Sequence, residues 1–368
     1  MVDIQNELPT LRWGIVATGL ISSWFVQDLV MERKDPKAKH VIQAIGSSSV
    51  EKGTVFAEKH LAGSGHAPSV YGSYDAVYQD PAVDIVYIGT PHALHKQNCL
   101  DAIAAGKHVL CKKPFTLNAA QVGEVFAAAR ARGGVFVMEA MWTRFFPLVR
   151  TLRSLVHGDE RAIGDVQRVL CDFSMDQNPG SLGPASRLKD PALGAGSLLD
   201  ISIYSLTWAL LMLEDPAAAD ADAARRRPKV AALQTLADGI DTASSAILLY
   251  PDGRQGIVTS SSAIKKGKQP FCTVQGTRGY VEVQGFTSAP GFFTVHTFDA
   301  EGGGLLSRRY DFERPGRGFY WEADAVAQDI SAGRVESSVM PWAETVRVME
   351  LLDTIRKQGG ARFPQDSE

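Results

Sequence analysis

Cysteine is scarce in this chain, with four in 368 residues. Cys99, Cys111, Cys171 and Cys272 lie far apart and form no CxxC pair. That spacing argues against a disulfide framework or a thiolate zinc site and fits reduced thiols. Cys99 and Cys111 sit in apolar runs, where inert core cysteines are found. Long hydrophobic runs are missing as well: no stretch approaches 18 uninterrupted apolar residues, so no membrane span is expected. Positive charge is not in excess, and a formal net charge of -3 argues against a general nucleic-acid binder. The opening MVDIQNELPT shows no basic region followed by an apolar one, and the closing PQDSE carries no lipidation or peroxisomal signal. The expectation is a cytoplasmic protein without membrane or nucleic-acid partners. There is no internal repeat. What is present is ordinary globular material, 45% hydrophobic and 21% charged, in a length that suits two domains.

The first part alternates strand and helix. LRWGIVA (11–17) reads as a buried strand, followed by a Thr-Gly turn and a helix from about Ser22. HVIQAIG (40–46) is strand and SVEKGTVFAEKH helix. DIVYIGT (84–90) is the strongest strand, apolar and β-branched, and closes on Thr90-Pro91. ALHKQNCLDAIAAG has apolar residues at helical spacing, with Gly106 as its stop. HVLCK is strand, NAAQVGEVFAAARARGG helix and VFVMEAMW strand. Such alternation predicts a parallel, doubly wound Rossmann sheet with helices on both faces, occupying residues 1–140. The pattern then changes. GDVQRVLCDFSM alternates, SLLDISIYSLTWALLML is a long apolar helix, and five β-patterned segments follow between turn signals such as Pro251-Asp252-Gly253. Strands without intervening helices predict a large, mostly antiparallel open sheet. The second domain, α+β in class, is therefore expected over 141–368, with room for the closing helices at 319–331 and 341–358 to pack back on the first domain. The Ala- and Arg-rich 217–228 stretch reads as an exposed connection with solvated arginines.

Several residues carry chemistry. After the first strand, the three glycine places of a G-x-G-x-x-G dinucleotide fingerprint hold Ala17, Gly19 and Ser22, so only the central glycine is kept. The turn still opens a helix whose first amides suit a phosphate, which makes Ala17, Thr18, Gly19, Leu20 and Ile21 cofactor candidates. At the end of the second strand an NAD site commonly has an acidic residue for the ribose hydroxyls. Here Ser47, Ser48 and Ser49 stand there, followed by Glu51 and Lys52. Serines leave room for a 2′-phosphate and Lys52 adds charge, so NADP is favoured over NAD; capping of the next helix is the alternative, and both roles can coexist. Thr90, Pro91, His92 and His95 lie past the fourth strand on the same carboxyl edge, where open α/β sheets bind ligands. The two histidines either line the cofactor or serve the structure. Their i, i+3 spacing has no third ligand nearby, so no metal is expected.

VLCKKPFTLN (109–118) ends a buried strand in two lysines and a proline. Lys113 leaves that strand at the ligand edge, with Lys112 beside it. A lysine held near a tyrosine favours the phenolate and lowers a phenol pKa from about 10. Asp200 and Tyr204, at i, i+4 in GAGSLLDISIYSL, share one face of the predicted helix. An aspartate among Leu, Ile, Tyr and Trp is costly unless paired; the plainer reading makes Asp200 a cap and Tyr204 core.

Taken together, WGIVATGLIS, DIVYIGTPHALH, AAGKHVLCKKPFTLN, EAMWTRFFP, RLKDPALGAGSLLDISIYSL and GFYWEADAVAQDI resemble one family across nearly the whole chain. It is the glucose-fructose oxidoreductase, inositol dehydrogenase and rhizopine-catabolism superfamily (Gfo/Idh/MocA). In that family the fifth strand ends Glu-Lys-Pro; here Lys112 replaces the acidic residue and Lys113 holds the lysine position. Tyr204 stands where many members have histidine, and this and the ATG turn resemble the branch of dimeric dihydrodiol dehydrogenases and NADP-dependent D-xylose 1-dehydrogenases, particularly its fungal members. The resemblance implies Tyr204 as general acid/base, Lys113 as its electrostatic partner and Asp200 as an orienting carboxylate. It implies Trp142, Arg144, Phe173 and Arg187 as substrate-pocket residues and the open sheet of the second domain as a homodimer surface. The activity implied is NADP-dependent oxidation of D-xylose or a related cyclic aldose to its lactone. Oxidation of a trans-dihydrodiol, or a cofactor-binding regulator without catalysis, are the alternatives.

Overall fold

The computed structural model describes residues 7–215, 227–265, 267–299 and 304–367. It divides into two compact units, one of Met1–Phe145 with Arg314–Val346, the other of Phe146–Glu313 with Arg347–Glu368. The division falls five residues beyond the expected 140, and residues 314–346 belong to the first unit. Most of the 217–228 connection lies outside the described residues.

In the first unit six strands form one parallel sheet: β1 (Thr10–Val16), β2 (Lys39–Gly46), β3 (Ser69–Tyr71), β4 (Ile85–Ile88), β5 (His108–Lys112) and β6 (Val137–Ala140). Their order is β3-β2-β1-β4-β5-β6, that of dinucleotide-binding α/β folds. All four residues of β4, and four of five in β5, are buried, as strands covered on both faces require. The helices between them are α1 (Leu20–Leu29), α2 (Val50–Leu61), α3 (Tyr74–Gln79), α4 (His95–Ala104) and α5 (Ala119–Arg132). Ser49 caps α2 by accepting the Lys52 amide, and Asn118 caps α5 through Gln121, contacts worth about 1 kcal/mol each. Trp13 has no exposed surface; Phe25 meets it edge-on at 5.1 Å and stacks on Tyr87 at 3.9 Å. Each such buried ring contributes about 1.5–3 kcal/mol.

The second unit contains α6 (Pro147–His157), β7 (Val166–Ser174), α7 (Ile203–Leu213), β8 (Lys229–Ala237), β9 (Ile240–Leu249), β10 (Gln255–Ser261), β11 (Cys272–Gly276), β12 (Gly279–Phe286), β13 (Ala289–Phe298) and β14 (Leu305–Asp311). The sheet order is β14-β13-β12-β11-β7-β10-β9-β8, antiparallel except where β10 runs parallel to β7. One turn of π-helix, Leu198–Ser202, precedes α7, where an unbroken α-helix was expected. Pro191–Leu213 is long and apolar enough to cross a membrane by length and composition alone, and 94% of its most apolar window is buried in the fold. It is the core helix against which the sheet packs. Two last helices follow, α8 (Phe319–Ser331) and α9 (Trp342–Gly359).

In the first unit α8 is tied to the sheet by charge. Arg33 donates to both oxygens of Asp324 at 3.0 Å. His40 Nε2 lies 2.9 Å from Asp324 Oδ1, and its Nδ1 accepts from Trp13 Nε1 at 3.1 Å. Because Trp13 fixes that tautomer, the neutral ring can donate to the carboxylate. Asp28 of α1 accepts the amides of Arg317, Gly318 and Phe319 and so caps the start of α8.

Candidate active site

At the carboxyl edge of the first unit, the turn after β1 is bent by Ala17, whose φ of +76° is in the left-handed region. Its amide donates to Gly46 O at 3.0 Å, joining the turn to the end of β2. Thr18 Oγ1 lies 3.2 Å from Ser47 Oγ, linking the same two strand ends through side chains. A Cβ on Gly19 would meet nothing within 4 Å, so open space lies over the start of α1, where helix amides lack intrahelical acceptors. The third fingerprint glycine normally lets helix and strand approach closely. Here Ser22 occupies that place, and the close approach comes from the other side: a Cβ on Gly89, just past β4, would fall 2.2 Å from Ser22 Oγ. Leu20 is exposed and Ile21 half-buried beside this space.

The end of β2 divides its serines between tasks. Ser49 is the cap of α2, Ser47 is buried, and exposed Ser48 accepts from Lys52 Nζ at 3.1 Å. A hydroxyl and an ammonium side by side form a donor pair suited to a phosphate.

Past β4, Thr90 is fully buried and its hydroxyl accepts from Asn98 Nδ2 at 3.3 Å. Asn98 in turn accepts from Tyr78 at 2.8 Å. His95 has no exposed surface. Its Nδ1 is 2.8 Å from Pro114 O and its Nε2 2.9 Å from Thr90 O. Burial and the nearby Lys112 ammonium push its pKa down to about 3, against the two carbonyls. The ring is therefore neutral, with a single N–H to donate to one of the two carbonyls. His95, expected among the cofactor residues, is closed off from solvent by the loops that carry Thr90 and Pro114. His92, buried as well, meets the His95 ring edge-on at 5.7 Å, and Pro91 between Thr90 and His92 is half-buried. Lys112 and Lys113 are each only 7% exposed, and the Lys113–Pro114 bond is cis.

Two pocket candidates belong to the first unit's own packing. Trp142 stacks face to face on Phe319 at 4.1 Å. Arg144 donates from Nε to Val339 O at 2.9 Å and from a terminal nitrogen to Glu344 at 2.8 Å, both side chains being 9% exposed. The guanidinium, expected in a substrate pocket, is thus held by Val339 and Glu344.

The second unit groups the other candidates. Asp200, in the π-helical turn, accepts from Gln177 Nε2 at 2.7 Å and lies 3.5 Å from Arg187, a bridge with one exposed partner. The pairing answers the cost of a carboxylate on an apolar helix. Tyr204 begins the second residue of α7 and is 7% exposed. Phe173 meets it edge-on at 5.6 Å and meets Phe286 edge-on at 5.2 Å. Phe173 and Phe286 line a cleft of about 490 Å³ with Met175, Asp176, Lys265 and Thr287.

Family comparison decides what this arrangement belongs to. Residues 11–140 match the model of an oxidoreductase family with an NAD-binding Rossmann fold, and residues 149–282 match the GFO/IDH/MocA C-terminal domain. The D-xylose 1-dehydrogenase (NADP(+)) of Hypocrea jecorina is 33% identical over 97% of this chain and 94% of its own length. The trans-1,2-dihydrobenzene-1,2-diol dehydrogenase of Sus scrofa is 36% identical over 97% and 99%. The chain belongs to the Gfo/Idh/MocA oxidoreductase family. Among solved structures, a 3-ketoreductase from Actinomadura kijaniata in complex with NADP superimposes with a TM-score of 0.77 at 21% identity, over 95% of this chain and 98% of its own. An aldose-aldose oxidoreductase from Caulobacter crescentus complexed with glycerol gives 0.76 at 24%, with the same coverage. These two share the fold.

This Gfo/Idh/MocA oxidoreductase also has site neighbours that sequence reasoning did not single out. Phe286 closes β12, and its signal was available: a large aromatic in Gly-Phe-Thr-Ser, half exposed. Gln177, Asn98 and Glu139 had none, since each acts through a partner distant in sequence. Among the described residues no group of three His, Cys, Asp or Glu could hold a metal.

Proposed function

We propose that the protein oxidises D-xylose, or a related cyclic aldose, to its lactone with NADP. The observation that carries the cofactor choice is the Ser48–Lys52 donor pair at the end of β2, in the place where an NAD site commonly holds a carboxylate. The open space over Gly19 fits a pyrophosphate. NADP held by this turn and the Ser48–Lys52 pair would supply the hydride acceptor for the substrate carbon. Tyr204 takes the proton of the reacting hydroxyl as general base, and the Lys113 ammonium stabilises the negative charge developing on the oxygens, a preorganised electrostatic contribution of several kcal/mol. Asp200, steadied by Gln177, orients a substrate hydroxyl, with Arg187 at its outer side. The protein acts as a cytoplasmic homodimer joined through the open sheet of the second unit. Across that sheet Ala231, Ile247, Ile257 and Leu170 stand in register on one face, and Ile247 is 48% exposed.

One observation favours a second reading, oxidation of a trans-dihydrodiol: Phe173 and Phe286 give the cleft an aromatic wall suited to a flat, unsaturated ring. The test is formation of reduced nicotinamide with NADP or NAD and a panel of D-xylose, D-glucose, L-arabinose, inositol and a trans-dihydrodiol. The proposal expects NADP with xylose to exceed every other pair. A diol preference keeps the chemistry and changes the substrate. No turnover with any member, while NADP still binds, would refute the proposal and leave a regulator as the better account.

A further inference from the structure

The turn that carries Lys113 has an anchor that the proposed chemistry leaves unused. Glu139 lies on β6, paired in register with Cys111 of β5, and is completely buried. Its Oε1 accepts the amide of Phe115 at 3.2 Å. Phe115 is two residues past Lys113, and the carbonyl between them, that of Pro114, is 2.8 Å from His95. The chain leaving the lysine is thus gripped on one side by a neutral imidazole and on the other by a buried carboxyl. The Thr345 hydroxyl also lies against this carboxyl and helps hold its pKa down. A buried carboxyl is expensive to keep; a hydrophobic residue on β6 would fill the same space without that cost.

We propose that Glu139 is a positioning residue for Lys113, holding the Phe115 amide so that the lysine leaves the strand end in one fixed direction. The inference rests on the role given to Lys113 above. Its state is set by groups on each element packed against it. Burial raises the carboxyl to about 7, Thr345, the Phe115 amide and Arg144 pull it down, and Glu344 pushes it up. Cys111, across on β5, is a thiol that burial holds well above its ordinary value and so stays neutral. The ionised carboxylate is the stronger acceptor for an amide, so the grip tightens as pH rises through neutrality.

The test uses the full-length enzyme, the best substrate of the panel and single-turnover formation of reduced NADP between pH 5.5 and 9. Wild type should show a rising limb near pH 7. Glu139→Gln should lower the single-turnover rate about tenfold, leave the NADP dissociation constant unchanged and remove that limb. Thr345→Val keeps the carboxyl but loses a group that lowers its pKa, so the limb should move to higher pH; this variant serves even where Glu139→Gln does not fold. A Glu139→Gln enzyme with wild-type rate and profile, or a limb that Thr345→Val leaves in place, would overturn the inference. Lys113→Met separates the two levels. If it turns over normally, the role of Lys113 falls and this inference with it; if it is dead while Glu139→Gln is normal, only the positioning role of Glu139 fails.

Discussion

Ala17 offers a sharp test of how the cofactor turn is built. Its φ of +76° costs an L-residue roughly 1–2 kcal/mol relative to the right-handed region. Glycine enters that region without the steric cost but gives up about 0.5–1 kcal/mol of backbone entropy on folding. The difference predicts that Ala17→Gly stabilises the protein by about 0–1.5 kcal/mol, or at most about 3–6 °C for a unit of this size. Valine should do the opposite, since a β-branched residue at positive φ is a genuine outlier. Relief of that strain would displace the turn, along with the Ala17 amide that donates to Gly46 O and the Thr18–Ser47 contact. The assay is paired: thermal unfolding without cofactor, and NADP affinity from nucleotide-induced quenching of tryptophan fluorescence. Ala17→Gly should melt at or above wild type and bind NADP within about threefold. Ala17→Val should melt lower and bind at least about tenfold more weakly, a loss of about 1.4 kcal/mol. A glycine variant that melts several degrees lower would show that the alanine is not strained and that its methyl group is needed for packing.

Asp324→Asn should destabilise the first unit by about 3–5 kcal/mol, because it leaves Arg33 buried without its counter-charge. Burial alone would raise this carboxyl, but His40 and Arg33 outweigh it and hold it below its ordinary value. The carboxylate's contribution is therefore complete above the unfolded carboxyl pKa and is lost as pH falls through the lower folded one. Urea melts should accordingly separate wild type from variant fully at pH 7, and the gap should narrow as pH falls below the ordinary carboxyl value. Lys52→Ala should weaken NADP binding about tenfold and leave NAD binding within twofold, measured by titration; equal losses for both nucleotides would contradict a 2′-phosphate role.

Much of the fold was legible because its signals are local. The buried runs of β4 and β5, the caps Ser49 and Asn118, and the helical spacing of α4 and α5 are readable from neighbouring residues. β3 is only three residues long and incompletely buried, and α3 is a single short helix, so neither carries a period long enough to detect. β14 is exposed on both faces; an edge strand of Leu, Ser and Arg has no alternation to read. The membership of α8 in the first unit depends on Asp324 meeting Arg33, 291 residues apart, which no window can see. The site divides along the same line. The placement of Lys113 and of Ser47 and Ser48 at strand ends was legible, because each closes an apolar run. The partners of His95, Pro114 and Thr90, and the partner of Arg144, Glu344, emerge only in three dimensions. Asp200 was legible as a carboxylate needing a partner, but not Gln177 as that partner.

The measurement that bears most directly on the proposed chemistry is turnover of Tyr204→Phe with NADP and the best substrate, alongside its NADP affinity. Loss of a general base costs about 10²–10⁴-fold, so turnover should fall at least a hundredfold while NADP binding stays within about threefold of wild type. Near-normal turnover in a folded, NADP-binding Tyr204→Phe protein would contradict the account.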